Sequence, residues 1–328
     1  MRFVVLAVLI AFLLVPTTGC SAELDAGKSP ALNNGNGSAK VASANPAGSG
    51  QSGALSDADY EALKKNVNMP VQPNVDTVDA EGYTIDLSNK NQGYVTVRSE
   101  SVPDQKIKVQ IEKDGEKYNY DYTGAEPFTT YPLQLGDGVY KITIYENIEG
   151  DKYAQVMGTE IEVHLDSEFA PYLLPSQIVN YTPESNAVSE SFMLTAAAKS
   201  DLDRVAEVYG YIVDNIVYDQ QKADTVQAGY LPDVDETLSS KKGICYDYSA
   251  LLACMLRAEN IPTRLVMGYV SGVDVYHAWN EVYITDVGWV RTAIYFDGSG
   301  WKTADSTFGA ANSQGVGKDA VYTRVKWY

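Results

Sequence analysis

One cysteine stands where a helix is predicted to begin. Cys245 follows Gly243 and Ile244 in the stretch KKGICYDYSALLACMLR. A helix start presents unpaired main-chain N–H groups and a partial positive charge, which favour a thiolate over a thiol and lower the pKa of a cysteine. The preceding glycine lets the backbone turn tightly and leaves the sulfur uncovered, and the same N–H groups can hold a developing oxyanion. We therefore predict that Cys245 is a reactive nucleophile.

A second cysteine on the same predicted helix provides a contrast. Cys254 lies in mid-helix among Leu251, Leu252 and Met255, which is typical of a small buried hydrophobe. The two cysteines would lie about 13 Å apart along the helix axis, whereas a disulfide requires Cα atoms within about 7 Å. We therefore expect Cys245 to be a free thiol.

Two histidines are available as a base for this thiol. His164, in EIEVHLD, falls on the polar face of a predicted strand and is expected to be solvated. His277 lies in YHAWNEVYI, where strand alternation puts it on one face with Trp279 and Glu281. We predict that His277 is the base.

A carboxylate is needed to fix the tautomer of the imidazole. Asp305, in GWKTADSTF after a predicted strand, is the candidate, and Glu281 and Asp247 are its rivals. Cys245, His277 and Asp305 would also suit zinc. The sequence has no Cys-x-x-Cys or His-x-x-x-His spacing and no Asp-rich calcium loop, so we expect neither a metal nor a cofactor.

These segments together resemble the transglutaminase-like superfamily, a papain-like group. The shared features are Gly-x-Cys at a helix start, Arg-Ala-x-x-Ile-Pro after that helix, a His-Ala-Trp-x-Glu strand and a Trp…Asp-x-Thr strand. The resemblance covers roughly residues 195–310. It implies that Cys245 is the nucleophile, His277 the base and acid, and Asp305 the residue that orients His277.

The sequence departs from this family at the oxyanion donor. Animal transglutaminases use a tryptophan upstream of the nucleophile, but every tryptophan here lies downstream of Cys245 (Trp279, Trp289, Trp301 and Trp327). Tyr218, in the family-like IVYD stretch, is the candidate replacement. The alternative is that Tyr218 only packs.

The rest of the chain indicates the elements that position these residues. Ser56 caps a predicted short helix over 56–69, and alternating residues over 75–168 predict an antiparallel, immunoglobulin-like β-sandwich. A connector over 169–189 precedes helices and then strands over 190–328, which indicates an α+β domain with an antiparallel sheet. The predicted class is α+β, a β-sandwich followed by a papain-like domain. The sandwich is similar to domains that precede such domains in exported bacterial proteins.

The N-terminal residues predict export. Residues 1–20 contain Arg2, an apolar run and small residues before Cys20, which is typical of a lipoprotein signal, and residues 21–55 form a Gly/Ser/Asn-rich tether. We expect lipid attachment at Cys20 and a membrane anchor on the outer face of the cytoplasmic membrane. The alternative is an ordinary signal and a secreted protein. The net charge of −18 excludes nucleic acid as a partner.

Two functions fit these observations. The first is thioester-mediated cleavage or transfer of an amide on envelope proteins or peptides. With water as acceptor the enzyme is a peptidase or amidase, and with lysine it is a protein-glutamine acyltransferase. The second is a non-catalytic envelope binding or scaffold protein that retains a papain-like domain. The oligomeric state stays open.

Overall fold

A computed structural model describes most of the chain from Leu55 onward. The described residues are 55–101, 104–122, 124, 128–271, 273–296, 301–304 and 321–328. The predicted signal, the tether up to residue 54, Cys20 and Asp305 lie outside them.

The first element is helix α1 (Asp57–Lys65). Ser56 is its N-cap, and the hydroxyl of Ser56 accepts a hydrogen bond from the N–H of Asp59 at 3.2 Å. Tyr60 packs edge to face on Phe192, with ring centroids 6.2 Å apart. The helix therefore packs against the C-terminal half of the chain.

Eight antiparallel strands then form two four-stranded sheets, ordered β1-β2-β3-β6 and β5-β4-β7-β8. Their bounds are β1 (Thr77–Ala80), β2 (Tyr83–Asp86), β3 (Tyr94–Ser99), β4 (Ile107–Lys113), β5 (Glu116–Tyr122), β6 (Thr129–Pro132), β7 (Gly138–Glu149) and β8 (Lys152–Val163). Alternate residues point into a core rich in tyrosine, as in Tyr118, Tyr120 and Tyr122 of β5. The prediction of an N-terminal antiparallel β-sandwich is confirmed. His164 follows β8 with its side chain 69% exposed, near Glu162 and Asp137.

The C-terminal half places helices before an antiparallel sheet, as predicted. Its helices are α2 (Asn186–Thr195), α3 (Asp201–Asn215), α4 (Gln220–Thr225), α5 (Val234–Ser240) and α6 (Cys245–Ala258). Its strands are β9 (Val217–Tyr218), β10 (Lys242–Gly243), β11 (Thr263–Val270), β12 (Val273–Ile284), β13 (Gly288–Phe296), β14 (Trp301–Ala304) and β15 (Tyr322–Trp327). The five-stranded sheet has the order β14-β13-β12-β11-β15, and α6 packs on it. The α+β prediction is confirmed.

A buried arginine holds the end of α6 in place. Arg257 is 0% exposed, and its guanidinium donates to the carbonyl oxygens of Thr263 at 2.8 and 3.0 Å, Leu174 at 2.7 Å and Tyr328 at 2.9 Å. The ring of Tyr328 packs edge to face on Tyr118 of the sandwich, with centroids 5.4 Å apart. Arg257 therefore links α6, β11, the connector and the end of the chain.

Within the part of the chain that the structure describes, no helix combines the length and apolar character needed to cross a bilayer.

Candidate active site

The site is built around the first residue of α6. The N-cap of this helix is Ile244, whose extended backbone (φ −96°, ψ 175°) carries the chain from β10 into the helix. Cys245 follows it and is half-buried, whereas Cys254 is 0% exposed. The prediction that Cys254 is a buried hydrophobe is confirmed, and both cysteines are free thiols.

A main-chain N–H of β12 lies free of the neighbouring strand near Cys245. Pairing of β12 with β13 ends at Asn280 and Thr292. Successive N–H groups of a strand point to opposite sides. The N–H of Tyr283 donates to Pro262 at the β11 side, so the N–H of Ala278 points away from β11, beyond the last β13 pair. It acts on Cys245, where it lowers the pKa of the thiol.

Two further main-chain N–H groups act on the thiol from the helix itself. Those of Cys245 and Tyr246 lower its pKa, as that of Ala278 does. The three groups belong to the helix start and to β12, so both elements lie next to Cys245.

His277 immediately precedes Ala278 in β12. It is buried, with 7% of its surface exposed, and pairs with Gly268 of β11. Its peptide group is the one that carries the N–H of Ala278, which lowers the pKa of Cys245. The side-chain amide of Asn280 donates to the carbonyl oxygen of Ser249 at 2.9 Å, which fixes β12 against the first turns of α6. The backbone of β12 at His277 therefore lies next to the helix that begins with Cys245, and the pairing of the two side chains stays a prediction.

The two rival carboxylates have other partners. Glu281 accepts a hydrogen bond from Arg324 at 3.2 Å and lies 3.6 Å from Arg264. Asp247 is 0% exposed and accepts from the N–H of Ile244 at 2.8 Å, so it caps the helix that begins with Cys245.

Asp247 also has two side-chain partners that the sequence did not reveal. The Nζ of Lys222 lies 2.8 Å from its carboxylate, and the hydroxyl of Tyr230 donates to it. A Cβ added to Gly243 would lie 2.7 Å from the Cβ of Asp247. The sequence signal that could have predicted this packing is a glycine just before the helix start and an aspartate four residues later.

The electrostatics of Cys245 differ from the prediction. Burial raises the pKa of Cys245 to about 11, and the negative charge of Asp247 acts in the same direction. The N–H groups of Ala278, Tyr246 and Cys245 lower the pKa but do not offset burial. The predicted lowering of the pKa is therefore wrong. At neutral pH the resting group is a thiol, and a base must take its proton.

Tyr218 lies beside the helix start. It forms a parallel pair with Gly243 through β9 and β10, and it is half-buried. Burial, followed by the charge of Cys245, raises the pKa of Tyr218 to about 12. The hydroxyl is therefore protonated at neutral pH and able to donate. Its role as an oxyanion donor stays a prediction.

The remaining predicted site residues lie elsewhere. Asp305 follows β14, whose last residue, Ala304, pairs with Ala293 of β13, but Asp305 itself is outside the described residues. Cys20 is outside them as well. The described residues contain no group of three or more His, Cys, Asp or Glu side chains that could hold a metal ion.

Comparison with protein families agrees with this geometry. Residues 190–294 match the model of the Transglutaminase-like superfamily. This part of the chain, which contains Cys245 and His277, is a transglutaminase-like domain. The resemblance predicted from the sequence motifs is confirmed.

Individual relatives are distant. The uncharacterized protein YebA of Bacillus subtilis (strain 168) is 27% identical over 143 residues, which cover 38% of this chain and 19% of YebA. The chain thus spans about a fifth of that relative's length.

Two solved structures are also similar. A candidate cysteine protease from Cytophaga hutchinsonii has 17% identity and a TM-score of 0.34, over 78% of this chain and 81% of that one. Red sea bream transglutaminase has 13% identity and a TM-score of 0.27, and the match covers 61% of this chain and 47% of that one. At these scores the likenesses assign no activity.

Proposed function

We propose that this protein is a cysteine enzyme that cleaves or transfers amides through a thioester on Cys245. The observation that supports this most strongly is the position of Cys245 at the start of α6, next to β12, where His277 immediately precedes Ala278. Main-chain N–H groups at such a position stabilise negative charge, first on sulfur and then on the oxygen of a tetrahedral intermediate.

The proposed reaction begins with a neutral thiol. His277 takes the proton of Cys245 as the sulfur attacks the carbonyl carbon of the amide, and the C–S bond forms. The N–H of Cys245 and the hydroxyl of Tyr218 hold the oxyanion. When the C–N bond breaks, His277 gives the proton to the leaving amine. Water or a second amine then attacks the thioester carbonyl while His277 takes its proton, the C–S bond breaks, and the proton passes to the sulfur, which leaves a free acid or a new amide and the neutral thiol. Asp305 is proposed to orient His277.

The proposed substrates are proteins or peptides of the cell envelope. This proposal combines the transglutaminase-like domain with the export signal and the lipid attachment expected at Cys20. A lipid anchor would hold the domain at the outer face of the cytoplasmic membrane. A strongly acidic surface, with a net charge of −18, is compatible with protein substrates and disfavours nucleic acid.

One observation favours the second candidate, a non-catalytic binding or scaffold protein. Burial raises the pKa of Cys245 to about 11, which a protein without acyl-transfer activity would tolerate at no cost. The two candidates differ in whether Cys245 forms a covalent bond to substrate.

To test this, a glutamine-containing peptide is incubated with the full chain and a labelled primary amine. Label in the peptide would identify a transferase, and ammonia or peptide cleavage without label would identify a hydrolase. Cys245→Ala should abolish either product, and Cys254→Ala is the matched control that should retain it. Peptide binding with no product for the unaltered chain would instead support the scaffold.

A further inference from the structure

A buried carboxylate ties a separate segment of the chain to the helix start. Asp247 is 0% exposed and lies two residues after Cys245. The Nζ of Lys222, on α4, lies 2.8 Å from its carboxylate, and Tyr230, in the loop after α4, donates its hydroxyl to the other carboxylate oxygen. Lys222 also lies over the ring of Tyr230, at 4.5 Å from the centroid. Its ammonium group is therefore held in one place, with its side chain only 24% exposed.

The position of Asp247 creates an electrostatic conflict. As a cap, its carboxylate favours the helix start. As a negative charge in a buried site next to Cys245, it opposes the formation of a second negative charge on the sulfur. The helix can keep the cap without this penalty only if a cation compensates the carboxylate.

Two titratable side chains interact electrostatically with Cys245 in the described part of the site, Asp247 on the same helix and Tyr218 on β9. His277 lies on β12, next to Ala278, and is proposed to exchange its proton during the reaction. Tyr218 is neutral at neutral pH. The ammonium group of Lys222 lies one contact further from the sulfur, 2.8 Å from the carboxylate of Asp247, and supplies the positive charge of this arrangement.

We infer that Lys222 is a positioning residue for Cys245: its ammonium group neutralises Asp247, so that the buried carboxylate caps the helix without holding a net negative charge against the sulfur. Lys222 contacts neither the sulfur nor, in this account, the substrate. It acts through Asp247. The inference rests on the proposed role of Cys245 as nucleophile, but it concerns ionisation of the thiol and is testable without a substrate.

The test measures the rate at which iodoacetamide alkylates Cys245 in the full chain as a function of pH. Peptide mass spectrometry separates Cys245 from Cys254 and Cys20. In Lys222→Met, which removes the charge and keeps the length, we expect the pH profile to move up by about one unit, equivalent to about tenfold slower alkylation at neutral pH. Lys222→Arg retains the charge and should restore the profile.

A second pair of variants tests whether Lys222 acts through Asp247. In an Asp247→Asn background there is no carboxylate to neutralise, so adding Lys222→Met should leave the profile unchanged. If Asp247→Asn does not fold, Lys222→Gln is used instead of this pair of variants. Its pH profile of alkylation should match that of Lys222→Met, because both changes remove the charge. Continued protection of Cys254 from alkylation shows that each variant is folded.

Two results would overturn the inference. One is a Lys222→Met profile that coincides with that of the unaltered protein. The other is a shift in Lys222→Met of the same size with and without Asp247. A protein that shows the expected shift yet forms no acyl product would contradict the proposed function alone.

Discussion

Gly243 and Asp247 occupy adjoining space at the start of helix α6, and any side chain on Gly243 would collide with Asp247. The distance from a Cβ on Gly243 to the Cβ of Asp247 would be 2.7 Å, shorter than real Cβ contacts. From the sequence, this glycine is expected to allow a tight turn that leaves the sulfur uncovered. The structure gives a different reason, which is that the glycine makes room for the carboxylate that caps the helix of Cys245.

Gly243→Ala is therefore expected to destabilise the protein by about 1–3 kcal/mol, the usual cost of overpacking. Gly210→Ala is the matched control, because Gly210 lies in α3 with nothing within 4 Å of an added Cβ. That change should be neutral or stabilise by up to about 1 kcal/mol. Urea unfolding of both variants gives the comparison. Equal stability of the two variants would show that Asp247 does not need the space.

Arg257 provides a second stability prediction. Its fully buried guanidinium donates to carbonyl oxygens of three separate segments, and no other described donor reaches the oxygen of Leu174. Arg257→Met would remove the guanidinium from these oxygens, of which that of Tyr328 keeps the N–H of Leu265 as a donor. We expect a loss of about 2–5 kcal/mol, because each buried acceptor left unsatisfied costs about 1–3 kcal/mol.

The control for Arg257 is Arg98, which is exposed on β3. Arg98→Met should change the free energy of unfolding by no more than about 0.5 kcal/mol. The midpoints of urea unfolding, measured at equal protein concentration, compare the stabilities of the two variants. A cost for Arg257→Met as small as that of the control would mean that water replaces the guanidinium.

The tyrosine-rich core predicts a loss of stability at alkaline pH. Burial raises the pKa of Tyr120, Tyr131 and Tyr181 well above the ordinary value of 10.0. Because the folded-state pKa is raised, the stabilising contribution is complete below about pH 10 and decreases as the pH rises further, by about 1.4 kcal/mol per pH unit for each tyrosine.

This prediction is checked by following tyrosinate absorbance and circular dichroism together in an alkaline titration. The buried tyrosines should ionise only as the protein unfolds. Full ionisation of the tyrosines in a protein that keeps its native circular dichroism would contradict the burial of these rings.

The reactivity of Cys245 should follow its raised pKa. Burial raises the pKa to about 11, so alkylation by iodoacetamide at neutral pH should be slower than for a free thiol in a peptide and should increase up to about pH 11. Cys254, which is 0% exposed, should react more slowly still. Denaturant should make the two rates equal. Alkylation of Cys245 in the native protein that levels off below pH 8 would contradict this account.

The parts of the fold that follow local periodicity were predictable from the sequence. Alternation in KIKVQIEK and EKYNYDY predicted strands of the sandwich, and the position of Cys245 at a helix start followed from the residues around it. The contacts of Asp247 were not predictable, because Lys222 and Tyr230 come from a short helix and a loop without clear periodicity.

The electrostatics of the site depend on packing that no local pattern encodes. The N–H of Ala278 is available to lower the pKa of Cys245 because the pairing of β13 with β12 ends before that point, which the sequences of the two strands do not indicate. The raised pKa of Cys245 likewise results from burial by distant segments. A helix start alone predicted the opposite shift.

The central claim is that Cys245 carries the acyl group. Intact-mass spectrometry of the full chain, quenched in acid during turnover of an activated glutamine ester or amide, tests it most directly. We predict a mass increase equal to the acyl group, located on Cys245 in the unaltered protein and in Cys254→Ala, and absent from Cys245→Ala with an unchanged melting temperature. Turnover that persists in Cys245→Ala, or an acyl group found on another residue, would contradict the claim.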